Sequence, residues 1–165
     1  MPLPIAHGLV GASIIAALYP HRAACSSARP LLIGALVANA ADGDFLLELV
    51  LGSGAWHRGF SHSLAFALVV YGGFLCFFGI RRSREALVYG LAYASHPVLD
   101  FVTTNAGRRI ALLWPFSSRR LKLGWWGLSE MPLELAPGEL VQALMVEVML
   151  FAPVLCLVVL VKRVA

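Results

Sequence analysis

Two long apolar runs, at residues 64–80 and 140–161, constrain this chain more than any other feature of its sequence. Each run is close to the ~20 residues that a helix needs to cross a bilayer. The sequence lacks the ten-residue segments of alternating polarity that transmembrane strands require, so we expect helical spans. Hydrophobic residues make up 59% of the chain and charged residues 13%, which excludes an ordinary soluble domain.

Proline and glycine residues divide the chain into five predicted helices. We expect these helices at residues 4–19, 30–51, 61–80, 84–104 and 139–161, with a loop between the last two. No polar linker separates one part of the chain from another, so residues 1–165 are predicted to form a single membrane-embedded domain. The expected fold is therefore all-α, a polytopic membrane bundle of four to five helices.

Polar residues that can bind metal recur along this apolar chain. If the chain crosses the membrane back and forth, the candidates all emerge on one side: His7, Asp42, Asp44, His57, His62, His96 and Asp100. Carboxylates near lipid are costly, and they tend to be paired or functional. The sequence therefore predicts that metal ligands converge on one side of the bundle.

The spacing of these residues indicates which of them can act together. His96 and Asp100 are four residues apart, so their side chains share one face of a helix and can reach one metal. Asp42 and Asp44 would diverge on a regular helix. Either Gly43 loosens the turn, or the two carboxylates have different roles.

The second histidine pair lies in a predicted bend, and the aspartates have a structural alternative. His57 and His62 are five residues apart, and Gly59 can bend the chain so that both approach the same site. The alternative for the aspartates is an ion pair inside the bundle, with Arg58 or Arg108.

The other charged residues indicate membrane contacts and helix packing. The net charge is +4, but the basic residues form short clusters at the ends of apolar runs. Such clusters are typical of contacts with membrane lipid headgroups, and nucleic-acid binding is not expected. Glu147, inside the last predicted helix, is expected to have a structural role, either in a hydrogen bond to a neighbouring helix or facing water.

A set of motifs between residues 6 and 116 has a distinctive order and spacing. It comprises His7 with Gly11, Asp42-Gly43-Asp44, the string His57-Arg58-Gly59-Phe60-Ser61-His62-Ser63, Ser95-His96 with Asp100, and Leu113-Trp114-Pro115-Phe116. In these motifs the chain resembles the YdjM-like family of bacterial inner-membrane proteins, described as metal-dependent hydrolases and distantly similar to zinc-dependent phospholipase C.

This resemblance implies a multi-pass protein of the bacterial inner (cytoplasmic) membrane with hydrolytic activity. It also implies a set of metal ligands: His7, Asp42, His57, His62, His96 and Asp100. Family members commonly have proline before the first aspartate of the Asp-x-Asp unit, where this chain has Ala41. The backbone around Asp42 is therefore expected to differ from the family's pattern.

The ligand types indicate the metal and the reaction. Nitrogen and oxygen ligands without thiolate suit zinc, with manganese or iron as alternatives, and seven candidates exceed the needs of one four-coordinate zinc. We therefore expect two divalent metals. Such a pair can activate a water molecule to hydrolyse a phosphoester, here in a lipid or lipid-linked substrate. In this hypothesis Asp42 or Asp44 bridges the metals or orients the water, and Arg58 stabilises phosphate charge.

Other functional classes make different demands on the sequence. A metal or proton transporter needs polar residues on both sides, and Glu85 is the one carboxylate on the opposite side. A structural protein whose metal ties helices together would have closed coordination. An intramembrane zinc protease is not expected because the sequence lacks HExxH.

The orientation in the membrane is predicted from loop lengths. The loops on the side opposite the site are shorter, which favours a cytoplasmic position for that side and predicts a site that faces outward.

Overall fold

The computed structural model describes residues 2–20, 27–52, 58–104, 109–124 and 137–164. Its helices are α1 (Pro4–Leu18), α2 (Ala28–Asn39), α3 (Asp44–Leu51), α4 (Leu64–Phe78), α5 (Ser83–Thr103) and α6 (Pro137–Val164). Short 3₁₀ turns lie at Ala40–Gly43, Phe60–His62 and Ile80–Arg82. The predicted all-α fold is confirmed, and the second predicted helix is interrupted by the first of these turns.

Most helix ends in this chain have a local cause. Pro4 lies in the first turn of α1, where its missing N–H costs no hydrogen bond. Gly52 ends α3 with a φ of 66°, the left-handed conformation that glycine adopts readily. The Ser63 hydroxyl accepts a hydrogen bond from the Phe66 backbone N–H and so caps α4. These caps explain why the predicted boundaries are close to the observed ones.

Among the described residues, two helical stretches have the length and composition of membrane spans, or three if one bent pair counts as a span. Ala28–Leu51 and Pro137–Val164 are each long and apolar enough to cross a bilayer. The α4 and α5 helices pass the same test together, with a bend of 119° between them, while α1 is a shorter apolar helix. Large apolar side chains such as Leu36 and Phe77 are more than two-thirds exposed on the bundle surface, as expected where lipid surrounds a protein.

Small residues bring α1 and α2 into close contact. A Cβ atom on Gly11 would lie 2.5 Å from Ala38 Cβ and 2.6 Å from the Gly34 carbonyl oxygen. A Cβ atom on Gly34 would lie 2.2 Å from Ile15 Cγ1. Glycine is therefore required at both positions, a packing mode typical of membrane helices. It fixes α1, which carries His7, against the end of α2.

A cluster of Tyr19, Arg82 and Glu85 joins three elements at the opposite end of the bundle from the histidines. The Tyr19 hydroxyl donates to Glu85 Oε2 at 2.5 Å, and Arg82 Nε donates to Glu85 Oε1 at 2.6 Å. Arg82 Nη2 donates a second hydrogen bond to Glu85 Oε2. Burial and the bond to Glu85 raise the pKa of Tyr19, so its hydroxyl keeps its proton. The cluster satisfies both oxygens of a carboxylate that is 3% exposed.

The segment 109–124 folds back onto the bundle without forming a helix. Its two arms pair through Ile110 and Leu121. The Ala111 N–H donates to the Arg58 carbonyl at 3.2 Å, and the Leu64 N–H donates to the Leu112 carbonyl at 3.0 Å. The segment therefore covers the region between residue 58 and the start of α4.

Candidate metal centre

Six of the seven predicted ligands lie in described parts of the chain, and they come from four places in the sequence. His7 lies in α1, Asp42 in the 3₁₀ turn, Asp44 at the start of α3, His62 in the second 3₁₀ turn, and His96 and Asp100 in α5. These six side chains lie together in one group. His57, and Arg108 among the proposed ion-pair partners, lie outside the described residues.

The orientation of His96 is fixed by a backbone carbonyl. His96 Nδ1 lies 2.8 Å from the Ala38 carbonyl oxygen. A carbonyl oxygen only accepts hydrogen bonds, so Nδ1 donates, and Nε2 is the nitrogen that remains for other partners. Ala38 lies in the last turn of α2, where carbonyls lack a helical partner. The end of α2 therefore sets the tautomer of His96.

The Asp44 carboxylate fixes the orientation of the His62 ring. Asp44 Oδ2 lies 3.2 Å from His62 Nδ1, and it accepts hydrogen bonds from the Ser61 hydroxyl and from the Arg58 backbone N–H. Tyr93 in turn donates to the Ser61 carbonyl at 2.9 Å. With Nδ1 held by a carboxylate, the Nε2 atom of His62 points to the other side of the ring, toward the remaining ligands.

The inner atoms form a compact group. His62 Nε2 and His96 Nε2 are 3.2 Å apart, and Asp42 Oδ1 lies 3.4 Å from the first and 3.3 Å from the second. Asp100 Oδ2 lies 3.6 Å from His62 Nε2 and 3.8 Å from His96 Nε2. Asp42, His62 and His96 thus form one set that could hold a metal ion.

A second set shares His96 with the first. His7, His96 and Asp100 also offer ligand atoms close enough to bind one ion. The rings of His7 and His96 are stacked with centroids 3.7 Å apart, and His7 Nε2 lies 3.6 Å from Asp100 Oδ1. The two oxygens of Asp100 therefore face different histidines, which is the arrangement of a carboxylate that can bridge two ions.

The group is buried and its charges are incompletely compensated. His7, His62, His96 and Asp100 have no exposed surface, whereas the Asp42 side chain is 21% exposed. Within the described chain, no hydrogen-bond donor reaches Asp42 Oδ1 or either oxygen of Asp100. Burying a carboxylate oxygen without a donor is costly, so such atoms are usually paired with a cation or a metal.

The balance of forces on His62 also favours positive charge here. Burial lowers the pKa of His62, but the carboxylates of Asp42 and Asp44 on either side of the ring outweigh it and raise the pKa to about 9. The carboxylates around the ring therefore stabilise a cation between them. Either a proton or a divalent ion can supply that charge.

Arg58 lies beside the group and has a strained backbone. Its φ is 59°, a conformation rare outside glycine, and its side chain is 2% exposed. Its charge acts electrostatically on Asp100. The structure thus places Arg58 near the aspartates, as both its predicted catalytic role and the ion-pair alternative require.

Sequence reasoning anticipated one supporting contact and missed others. Of the two possibilities considered for Glu147, the structure shows a buried hydrogen bond, because Glu147 Oε1 accepts from the backbone N–H of Leu3, the residue before α1, at 2.6 Å. The roles of Ser61 and the Ala38 carbonyl were not predicted. Ser61 lies within the His57–Ser63 string, which marks it as a candidate, but a backbone carbonyl has no sequence signal.

Comparison with known proteins adds a family and a relative. The sequence profile of the family described as YdjM inner membrane protein matches residues 1–165. The inner membrane protein YbcI of Escherichia coli (strain K12) is 36% identical over 117 residues, which cover 66% of this chain and 66% of YbcI. The alignment thus spans just under two thirds of that relative. No solved structure matches the chain.

Proposed function

Because this chain belongs to the YdjM inner membrane protein family and is a multi-pass protein of the inner membrane, we propose that it is a metal-dependent hydrolase acting within that membrane. The proposed substrate is a phosphoester of a lipid or of a lipid-linked compound. The proposed cofactor is a divalent metal ion, zinc in the first place and manganese or iron otherwise.

One observation carries the metal proposal. The three inner atoms of Asp42, His62 and His96 form a triangle with sides of 3.2, 3.3 and 3.4 Å. In a tetrahedron with metal–ligand bonds of about 2.0–2.1 Å, neighbouring ligand atoms are about 3.3–3.4 Å apart. The triangle therefore has the dimensions of one face of a tetrahedral zinc site, and Asp100 Oδ2 lies farther off, 3.6 and 3.8 Å from the two histidine nitrogens.

The Nδ1 contacts of the two histidines support the same proposal. Neutral rings whose Nδ1 atoms hold the protons would bring two Nε2 lone pairs to within 3.2 Å of each other, beside two carboxylates. All four atoms are then electron donors, which repel one another unless a cation lies between them. Imidazole Nε2 with its Nδ1 bound to a carbonyl or carboxylate is the usual form of a metal-binding histidine.

A second ion would use the other side of Asp100. His96 cannot serve both ions, because its Nδ1 is bound to the Ala38 carbonyl and one nitrogen remains. Asp100 can contact both ions, because its Oδ1 faces His7 and its Oδ2 faces His62 and His96. We propose that His7 and Asp100 Oδ1 contribute to a second ion, which would require further ligands, and His57 is the candidate that the sequence provides.

The roles proposed for the two neighbouring aspartates follow from their distances. Asp42 faces Nε2 of both inner histidines and is the proposed ligand. Asp44 faces Nδ1 of His62, so we propose that it is a positioning residue that acts through this ring, in place of direct ligation. The 3₁₀ turn at Ala40–Gly43 lets both side chains approach His62 from opposite sides.

Divalent ions bound in this way lower the pKa of a coordinated water and stabilise charge on phosphoryl oxygens. The chain's own contribution is to fix the ligands and to admit substrate from one direction. Asp42 is the partly exposed member of a group otherwise closed to solvent, so the phosphoester is proposed to approach at Asp42. Arg58 is proposed to balance negative charge near Asp100.

Transport fits the bundle less well than hydrolysis. Between the site and the Tyr19, Arg82 and Glu85 cluster, the core consists of apolar and aromatic residues, among them Ile15, Val88 and Ala92. A transporter requires polar groups that line a path through the protein. In the described chain, this core interrupts any such path.

The test measures metal and hydrolysis on the same protein. Full-length protein purified in detergent is depleted with a chelator, reloaded with zinc or manganese, and mixed with vesicles of bacterial phospholipids. We expect at least one ion per chain and metal-dependent release of a phosphorylated headgroup or of phosphate. Full metal occupancy without cleavage of any lipid phosphoester tested would refute the hydrolase, and zinc uptake into liposomes would assign the site to transport.

A further inference from the structure

An apolar groove runs along the outside of the bundle between α1, α2 and α6. It has a volume of about 520 Å³. Its walls include Ile5, Gly8 and Ala12 from α1, Leu32 and Ala35 from α2, and Leu155 from α6. Ala12 is 5% exposed and forms part of the floor, whereas Ile5 and Leu32 are 42% and 62% exposed and form the rim. The groove therefore opens toward the lipid.

The groove is long enough for one acyl chain. Along α2 its lining runs from Ala28 to Asn39, which at a rise of 1.5 Å per residue is about 16 Å. Ala28 begins the apolar stretch Ala28–Leu51, so the groove runs from that end of the stretch toward its middle. A single acyl chain can therefore lie along the groove between Ala28 and Asn39.

The groove ends beside the proposed metal site. Ala28, Leu32, Ala35 and Asn39 follow one another at intervals of three or four residues, so they form one stripe on α2. Asp42 comes three residues after Asn39 in the 3₁₀ turn, and side chains three apart in such a turn are stacked. Asp42, the partly exposed member of the site, thus continues the same stripe.

The end of the groove near the site is also its polar end. Asn39 lines the groove, and its Nδ2 donates to the Ala35 carbonyl at 2.9 Å. Its Oδ1 is buried and accepts no hydrogen bond from the described residues. Gly8 leaves room here, because a Cβ atom would lie 3.2 Å from Asn39 Nδ2. An acceptor without a donor is suited to a hydroxyl or N–H of a lipid's polar region.

We infer that this groove holds one acyl chain of the lipid substrate, with Asn39 at the chain's polar end and the phosphoester beyond it at Asp42. This inference rests on the proposed function and specifies it, because it makes a membrane phospholipid with a long acyl chain the substrate, in preference to a soluble phosphoester. The groove length then sets which chain lengths are used.

A labelling experiment tests occupancy without requiring catalysis. Full-length protein is placed in vesicles of phosphatidylethanolamine and phosphatidylglycerol that contain phosphatidylglycerol with a diazirine either near the ester or near the chain end. We expect the first probe to label residues around Ala35 and Asn39, and the second to label residues around Ala28. Labelling without this order, or equal labelling around Gly73 on α4, would overturn the inference. So would cross-links between two protein chains through the groove.

A pair of phenylalanine variants tests the role in substrate use. Ala35→Phe fills the groove midway, so hydrolysis of the long-chain lipid is expected to fall by roughly tenfold or more relative to a short-chain version of the same lipid. Gly73→Phe is the matched control, since a Cβ atom there meets nothing within 4 Å and the residue lies on α4, away from the groove. Equal loss on both chain lengths in Ala35→Phe would contradict the inference.

A third variant tests whether the groove sets the preferred acyl-chain length, and it distinguishes the acyl-chain inference from the proposed hydrolase function. Ala28→Phe blocks only the far end of the groove, so the preferred chain length is expected to become shorter while the maximal rate is kept. An unchanged chain-length preference would count against the inference while leaving hydrolysis intact. Ordered labelling in a protein that cleaves no phosphoester would instead refute the proposed function and keep the groove as an acyl site.

Discussion

Two buried carboxylate clusters at opposite ends of this bundle are built in different ways. Glu85 receives hydrogen bonds from Tyr19 and Arg82 on both of its oxygens. Asp100 is equally buried, but its oxygens face histidine nitrogens at 3.6 to 3.8 Å and accept no hydrogen bond from the described chain. The Glu85 cluster is complete with its own side chains, whereas the Asp100 group is, in our proposal, completed by an added cation.

Under the proposed function, this difference separates a structural cluster from a binding site. Both clusters lie in an apolar bundle, and both bring together residues distant in sequence. What distinguishes them is whether the donors belong to the protein. Removing a carboxylate at the first cluster should therefore affect stability, and removing one at the second should affect ligand binding.

The largest effect is expected at Asp100. Asp100→Ala removes both oxygens that face the histidines, so bound metal should be lost and hydrolysis should fall by at least about a thousandfold. Metal content by elemental analysis and lipid hydrolysis in vesicles measure this. Glu85→Ala is the matched control and should keep its metal. Equal metal content in wild type and Asp100→Ala would remove the distinction between the two clusters.

A smaller effect on metal affinity is expected at Asp44. Asp44→Asn keeps the size of the side chain but removes the charge that holds His62 Nδ1, and such changes typically weaken metal binding by about 10–100-fold. Competition with a zinc chelator measures the affinity. If Asp44→Asn lost metal as completely as His62→Ala does, Asp44 would be a direct ligand and the assigned roles would be wrong.

The third prediction concerns the stability of the protein when the Glu85 cluster is disrupted. Glu85→Ala leaves the Tyr19 hydroxyl without its acceptor, which should lower the free energy of unfolding by about 2 kcal/mol. For a chain of this size that corresponds to a decrease of about 4–8 °C in the apparent Tm. Thermal unfolding in detergent, with metal content followed in parallel, checks both parts. Loss of metal at unchanged Tm would reverse the roles assigned to the two ends.

The smallest effect is expected from Tyr19→Phe. This change removes one hydrogen bond to Glu85 while Arg82 still donates to both oxygens, so the loss of stability should be about 1 kcal/mol. Hydrolysis should match the wild type. A loss of hydrolysis without a decrease in Tm would show that the Glu85 cluster and the Asp100 group are coupled, which would contradict their separate roles.

The sequence predicted the helices because their signals are local. Pro4 and Gly52 mark ends that depend on backbone geometry alone, and the long apolar runs identify the spans. The meeting of His7, His62 and Asp100 was also predictable, because alternating passes through a membrane bring alternate helix ends to one side. The structure brings these three residues together as expected.

Other features depend on tertiary contacts that sequence spacing does not encode. The different positions of Asp42 and Asp44 follow from the 3₁₀ turn between α2 and α3, whereas the sequence left open whether Gly43 loosens the turn or the two carboxylates have different roles. The Ala38 carbonyl orients His96 only because Gly11 and Gly34 let α1 and α2 approach closely. The groove beside Asn39 results from the placement of three helices, so no single segment indicates it.

X-ray absorption at the zinc edge of the zinc-loaded, full-length protein tests the central claim most directly. The account predicts a first shell of nitrogen and oxygen at about 2.0–2.1 Å, with imidazole scattering from His62 and His96 and no sulfur. The imidazole signal should decrease in His96→Ala and persist in Glu85→Ala. Protein that binds no zinc, or a first shell of oxygen alone that is unchanged in His96→Ala, would contradict it.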